Sequence, residues 1–221
     1  MNSTNFIIHT NNVKEDLFYM DKNKIRNYQV FSNIFVCILG TLLHFTYELS
    51  GENSIIASFS AVNESVWEHL KLLFFPMLLT TIIGYFYCAN NKVLGTSPTG
   101  FACEGGSGSY IGKNVPNFLC SKMIGIITAM LFTVIFFYTY SGILGNNIAI
   151  IDISLFFVAT ILGEYVAYKL MNSTFKCNTK IAIFALILIG ICFLTFTYSA
   201  PKIGIFKDPI TKTYGIVKNE N

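Results

Sequence analysis

Residues 123–151 read MIGIITAMLFTVIFFYTYSGILGNNIAII, twenty-nine positions without one Asp, Glu, Lys or Arg. A helix rises 1.5 Å per residue and the hydrocarbon core of a bilayer is about 30 Å thick, so about 20 apolar residues cross it. This run is too long for one crossing. Ser141-Gly142 and Gly145-Asn146-Asn147 supply a tight turn within it, so it holds one span to about Tyr140 and the first turn of the next. Working outward with the same criterion gives five spans, at about 27–47, 70–88, 121–140, 148–170 and 180–200. The last stops at Pro201, which has no N–H to continue a helix. Pro76 falls inside the second and is expected to kink it. The expected fold is all-α, a polytopic membrane helix bundle with about five transmembrane helices.

Composition agrees. Of 221 residues 53% are hydrophobic and 12% charged, about half the charged share of a soluble domain, too thin a shell to hide so apolar a chain from water. Disorder needs the opposite balance, and six cysteines are too sparse for a disulfide-stapled mini-domain. The net charge of +3 rests on fourteen Lys and Arg26, without the dense basic patch of a nucleic-acid binder. The implied partner is the lipid bilayer, with no nucleic acid.

Residues 1–26 form a polar N-terminal arm with no cleavable signal, and the first span reads as a signal anchor. Lys and Arg near span ends favour the cytoplasm. One side collects ten of them (Lys14, Lys22, Lys24, Arg26, Lys92, Lys113, Lys122, Lys169, Lys176 and Lys180), the other only Lys71 and the tail's Lys202, Lys207, Lys212 and Lys218. The reading is therefore a multi-pass membrane protein with a cytoplasmic N-terminus and an external C-terminus. Tyr47, Trp67, Tyr138, Tyr140 and Tyr198 would line the outer interface and Tyr85, Tyr87, Tyr165 and Tyr168 the inner. The loop 89–120 is rich in Gly, Ser and Thr and reads as a flexible cytoplasmic segment. Its EGGSGS lacks the Gly-Lys-Ser/Thr of a P-loop. Cys103 and Cys120 in this loop read as free thiols of a reducing compartment, and Cys37, Cys88, Cys177 and Cys192 as small apolar residues. No internal repeat supports an inverted-repeat transporter.

The connection between spans one and two, LLHFTYELSGENSIIASFSAVNESVWEHLKLLFFPM, gathers His44, Glu48, Glu52, Glu64, Glu68 and His69. His44 and Glu48 are four apart, as are Glu64 and Glu68, so each pair is expected on one helical face, and the two pairs meet at neighbouring span ends. Two readings stand side by side. Ser65-Val66-Trp67-Glu68 fits a capping box, with Lys71 placed to neutralise Glu68. Carboxylates with imidazoles also suit a proton or a divalent metal ion, Zn²⁺, Mn²⁺ or Fe, with His44, Glu48, Glu64, Glu68 and His69 as ligands, although no HExxH or ExxH motif is present. Glu164 is an ionisable group inside a span, one turn from Lys169 and expected to snorkel. Asp152 suits a helix start, and His9 lies in the polar arm. The tail 201–221 keeps too many apolar residues for a solvated segment, so it is expected to fold back over the outer face and bring Asp208 and Lys202 near the cluster.

The blocks LHFTYELSG, FSAVNESVWEHLKLLFFPML, GKNVPNF, FFYTYSGILG and FKDPITKTYGI together resemble an uncharacterised family of small multi-pass membrane proteins of clostridia and related low-GC bacteria, a domain of unknown function. The resemblance runs from span one to the tail and implies membrane topology and a bacterial source, but no activity. Against the family pattern, Ala200-Pro201-Lys202 stands where Pro-Pro-His is usual, Glu164 stands where a polar uncharged residue is usual, and residues 93–111 look like an insertion. Three functions fit: a binding, sensing or transport protein with a cation or proton at the cluster; a metal-dependent membrane hydrolase with His44 and His69 as ligands and Glu64 or Glu68 as general base; or a scaffold or partner subunit whose charges only cap helices.

Overall fold

The computed structural model describes residues 3–90, 115–173 and 177–216, with side chains for 25–86, 118–173 and 177–216. Its helices are α1 (Ser3–Leu49), α2 (Ser54–Ala57), α3 (Val66–Asn90), α4 (Val115–Leu144), α5 (Ala149–Met171) and α6 (Thr179–Tyr198), followed by a 3₁₀ turn at Gly204–Phe206. Among the described residues the only β pairing is an isolated bridge between Lys207 and Tyr214. Among the described residues five stretches are long and apolar enough to cross a membrane: Ile25–Leu49, Val66–Phe86, Phe118–Leu144, Ala149–Met171 and Thr179–Tyr198. The expected all-helical bundle with five such helices is what the chain forms.

The ends of the helices follow local chemistry. α4 runs one turn beyond Tyr140, and Gly145, at φ +75°, reverses the chain into α5. The Asn178 side chain caps α6 by accepting the Lys180 N–H at 3.0 Å. α3 passes through Pro76 without ending. The N-terminal arm is itself helical and continuous with the first span; at 47 residues, α1 is about 70 Å long, more than a bilayer can hold. Residues 91–114, including Cys103 and most of the glycine-rich loop, lie outside the described residues.

α1, α3, α4 and α5 form a ring in which each packs on the next, and α6 lies outside it against α4 and α3. Two glycines set the tightest contact. A Cβ at Gly125 would lie 2.5 Å from the Gly163 carbonyl, and one at Gly163 2.7 Å from the Gly125 carbonyl. α4 and α5 therefore approach backbone to backbone, as small residues allow in a membrane, where lipid is as apolar as the helix faces and contact comes from packing. Val36, Phe74, Met77, Ile126, Ala159 and Phe193 fill the centre, while Ile181, Phe184, Ile187 and Ile191 of α6 face outward.

The expectation for two of the cysteines is overturned. Cys120 and Cys177 are neither a free thiol nor a small apolar filler but form a disulfide, with Cα atoms 6.2 Å apart. α4 begins at Val115 rather than after residue 120, and its first turns bring Cys120 beside the residue that precedes the α6 cap. Cys37 and Cys192 are free.

Candidate functional site

The α1–α3 connection is held onto α1 by one side chain. The Ser60 hydroxyl donates to the Leu43 carbonyl and accepts the Tyr47 N–H, bridging groups one helical turn apart on either side of His44. Gly51 and Glu52, both at positive φ, reverse the chain, and Asn53 caps α2. Asn63 then accepts the Ser65 N–H at 2.9 Å, and Ser65 Oγ accepts the Glu68 N–H at 3.4 Å to open α3. Half of the expected capping box is thus formed. The other half is not, because the Glu68 carboxylate reaches back to the Val62 N–H at 3.1 Å rather than to that of Ser65.

The five sequence candidates separate into two groups and an outlier. His44, Glu64 and His69 offer one ligand atom each within 4.8 Å of one another. His69 Nε2 lies 3.4 Å from Glu64 Oε2, and the two imidazole rings are 5.2 Å apart. His69 Nδ1 is 3.0 Å from the Ser65 carbonyl. A carbonyl only accepts, so Nδ1 donates to it and the other ring nitrogen, Nε2, is the one turned towards Glu64. Metal-bound histidines are oriented by this kind of second bond. Among the described residues His44 Nδ1 is buried without a hydrogen-bond partner.

Glu68 turns elsewhere. Its carboxylate lies 2.5 Å from Lys71 Nζ, and both side chains are buried. Lys71 also donates to the Ala57 carbonyl at 2.8 Å and to Thr197 Oγ1 at 2.9 Å, joining α2, α3 and α6. The expected pairing of Glu64 with Glu68 on one face fails because α3 starts at Val66; Glu64 precedes the helix and is free of its register. Glu68 and His69, successive in the helix, point about 100° apart and serve different groups. Glu48 is the outlier, exposed on α1.

The tail folds over this end, as expected. Phe206 packs on Trp67 with ring centroids 4.7 Å apart, and Asn63 Nδ2 donates to the Gly215 carbonyl at 2.9 Å. Asp208 Oδ2 accepts the Glu64 N–H at 3.3 Å, and its Oδ1 accepts those of Ile210 and Thr211 at 2.7 and 3.1 Å. Burial alone would raise the Asp208 pKa, but these backbone donors outweigh it and hold the carboxyl below its ordinary range. Lys202 is exposed.

A second polar group lies at the opposite end of the ring, and sequence reasoning missed it. Glu164 does not snorkel. Its Oε2 lies 2.6 Å from Lys122 Nζ, with both side chains buried. Ser32 Oγ lies 2.8 Å from Glu164 Oε1 and accepts from Lys122 at 3.0 Å. The Tyr28 ring stands 4.8 Å from the same ammonium, and its hydroxyl donates to the Thr80 carbonyl. α1, α3, α4 and α5 all contribute. Lys169, one turn from Glu164 in sequence, lies over the Tyr165 ring. The available signal was two isolated charges of opposite sign at apolar span positions, which in lipid pair with each other.

The chain belongs to a family of unknown function (DUF6512), whose pattern matches residues 18–98 and 107–216. The unmatched residues 99–106 fall within the glycine-rich stretch. No curated protein and no solved structure matches the chain.

Proposed function

We propose, for a family whose description assigns no activity, that His44, Glu64 and His69 bind a divalent transition-metal ion, Zn²⁺, Mn²⁺ or Fe²⁺, in a binding, sensing or transport protein of the bacterial plasma membrane. The observation that carries the reading is the convergence of three ligand-type atoms within 4.8 Å, drawn from two span ends. Ligands 2.0–2.1 Å from a tetrahedral ion are about 3.4 Å apart, so the three atoms close by at most about 1.4 Å, a side-chain adjustment. Two imidazoles and a carboxylate are borderline ligands suited to these metals rather than to Ca²⁺ or Mg²⁺. Three protein ligands leave a coordination position open for water or a passing ligand.

The binding role is favoured over the hydrolase. Of the two carboxylates considered as general base, Glu68 is engaged by Lys71 and Glu64 stands among the ligands. The scaffold reading accounts well for Glu68 and Lys71, but not for the arrangement of the histidines.

The cluster lies on the external face in this proposal, with the N-terminus cytoplasmic. Lys122 and Lys71 are buried in ion pairs and no longer count as loop charges, which leaves nine cations on the proposed cytoplasmic side and the four tail lysines on the other. Elemental analysis of protein purified in mild detergent tests the metal site. About one equivalent of transition metal is expected, with loss of at least tenfold in the His44→Ala/His69→Ala variant. Wild-type protein that stays metal-free after incubation with Zn²⁺ and Mn²⁺ sinks the reading.

A further inference from the structure

The disulfide lies where the charge distribution puts the cytoplasm. Cys120 is fully buried on α4. Cys177 is half-buried directly before the α6 cap, next in sequence to Lys176 and three residues before Lys180 in the first turn of α6. Disulfides in a reducing compartment are rarely structural; those that occur there are mostly catalytic or redox-sensing. We infer that Cys120–Cys177 is a reversible redox site, a disulfide that exchanges two electrons with a cytoplasmic dithiol and thereby ties or frees the start of α6 against α4. This rests on the proposed orientation and is independent of the metal site.

The geometry sets the order of the exchange. A thiolate of the dithiol attacks the accessible sulfur, Cys177 Sγ, forming a mixed disulfide and expelling Cys120 as a thiolate that takes up a proton. The second thiol of the reductant then attacks its own sulfur in the mixed disulfide, closes its own disulfide and releases Cys177, which is protonated in turn. The protein gains two electrons and two protons, and the dithiol loses them. Cys120 is the buried leaving group, held by α4 close to its partner, so the reverse reaction finds both sulfurs in place.

α6 is suited to respond. It lies outside the four-helix ring and packs chiefly on α4, the helix to which the disulfide ties it. At its other end Thr197 bonds Lys71 and Phe193 packs on Trp67, and the tail whose Asp208 accepts the Glu64 N–H follows directly. Reduction removes the covalent restraint at one end and leaves the polar and aromatic contacts at the other.

Acid quenching of growing cells, alkylation with a mass-tagged maleimide and peptide mapping of the Cys120–Cys177 pair measure its redox state in the unmodified chain. The expected result is a mixed population whose oxidised-to-reduced ratio rises at least about tenfold with diamide, the response to a poise change of ~30 mV, and returns after the oxidant is removed. A membrane-impermeant phosphine is expected to reduce the bond in inverted vesicles and spare it in right-side-out ones. A bond that stays oxidised in growing cells with and without diamide, yet is reduced by the phosphine only in inverted vesicles, overturns the redox proposal and keeps the orientation. One that stays oxidised and is reduced in right-side-out vesicles overturns both. Thiols that never pair, even with diamide, overturn the redox proposal.

Discussion

Lys122 Nζ and Glu164 Oε2 are 2.6 Å apart, with neither side chain reaching solvent, so a cation on α4 and an anion on α5 neutralise each other inside two spans. Removing one partner leaves an uncompensated charge where water cannot screen it, a loss of about 3–5 kcal/mol for buried pairs. Lys122→Met and Glu164→Gln are each expected to lower thermal stability in detergent and abundance in the membrane. The double variant should recover much of both, because no lone charge remains. If the double variant were as unstable as the sum of the singles, the pair would not be acting as a unit.

The closeness of α4 and α5 depends on Gly125 and Gly163, and it predicts intolerance to the smallest side chain. A methyl at residue 163 would lie 2.7 Å from the Gly125 carbonyl and 2.9 Å from Ala129 Cβ, so the helices must part. Gly163→Ala is expected to cost about 1–3 kcal/mol, the usual range for overpacking, measured as a lower melting temperature in detergent. Gly142→Ala is the control, since a Cβ there meets nothing.

The chain has one tryptophan, and Trp67 lies against Phe206 of the tail, so its emission reports tail docking. Asp208 anchors that tail as a carboxylate. Because its pKa is depressed in the fold, the stabilisation is fully present above the ordinary value of 3.8 and is lost as pH falls through the lower folded value. Trp67 emission is expected to stay constant from neutral pH to about 4 and to shift red below that. Asp208→Ala should show the shifted spectrum already at neutral pH. A wild-type transition centred well above pH 4 would assign the anchoring to another group.

The spans were legible because lipid imposes a length and an apolar composition on every crossing segment, and the run 123–151 states both. The tail's return was legible from apolar residues that water would not tolerate. Pairings across helices were not. Lys122 and Glu164 are 42 residues apart, and no local spacing records which faces of α4 and α5 meet. At short range the spacing told half: Lys71, three residues on, pairs with Glu68 as expected, but Glu64, four residues before it, precedes the helix start at Val66 and does not share its face. Cys120 with Cys177 likewise depends on where two helices begin, which is set by the packing of their spans and not by the cysteines.

Glu64 and Glu68, near neighbours in sequence, are expected to fail in different ways when changed, which tests the division of the cluster. Glu64 is exposed and its carboxylate faces His69, so Glu64→Ala should reduce affinity for Zn²⁺ or Mn²⁺ at least tenfold in equilibrium dialysis while leaving the melting temperature of the metal-free protein nearly unchanged. Glu68→Gln leaves Lys71 buried without its counter-ion, and the same 3–5 kcal/mol argument predicts a large fall in stability; the protein that remains folded should keep its metal affinity. Glu48→Ala, on an exposed position of α1, should change affinity less than threefold. If Glu68→Gln lost metal while Glu64→Ala kept it, the ligand would be the wrong carboxylate and the geometry of the three-residue group would not describe the binding site.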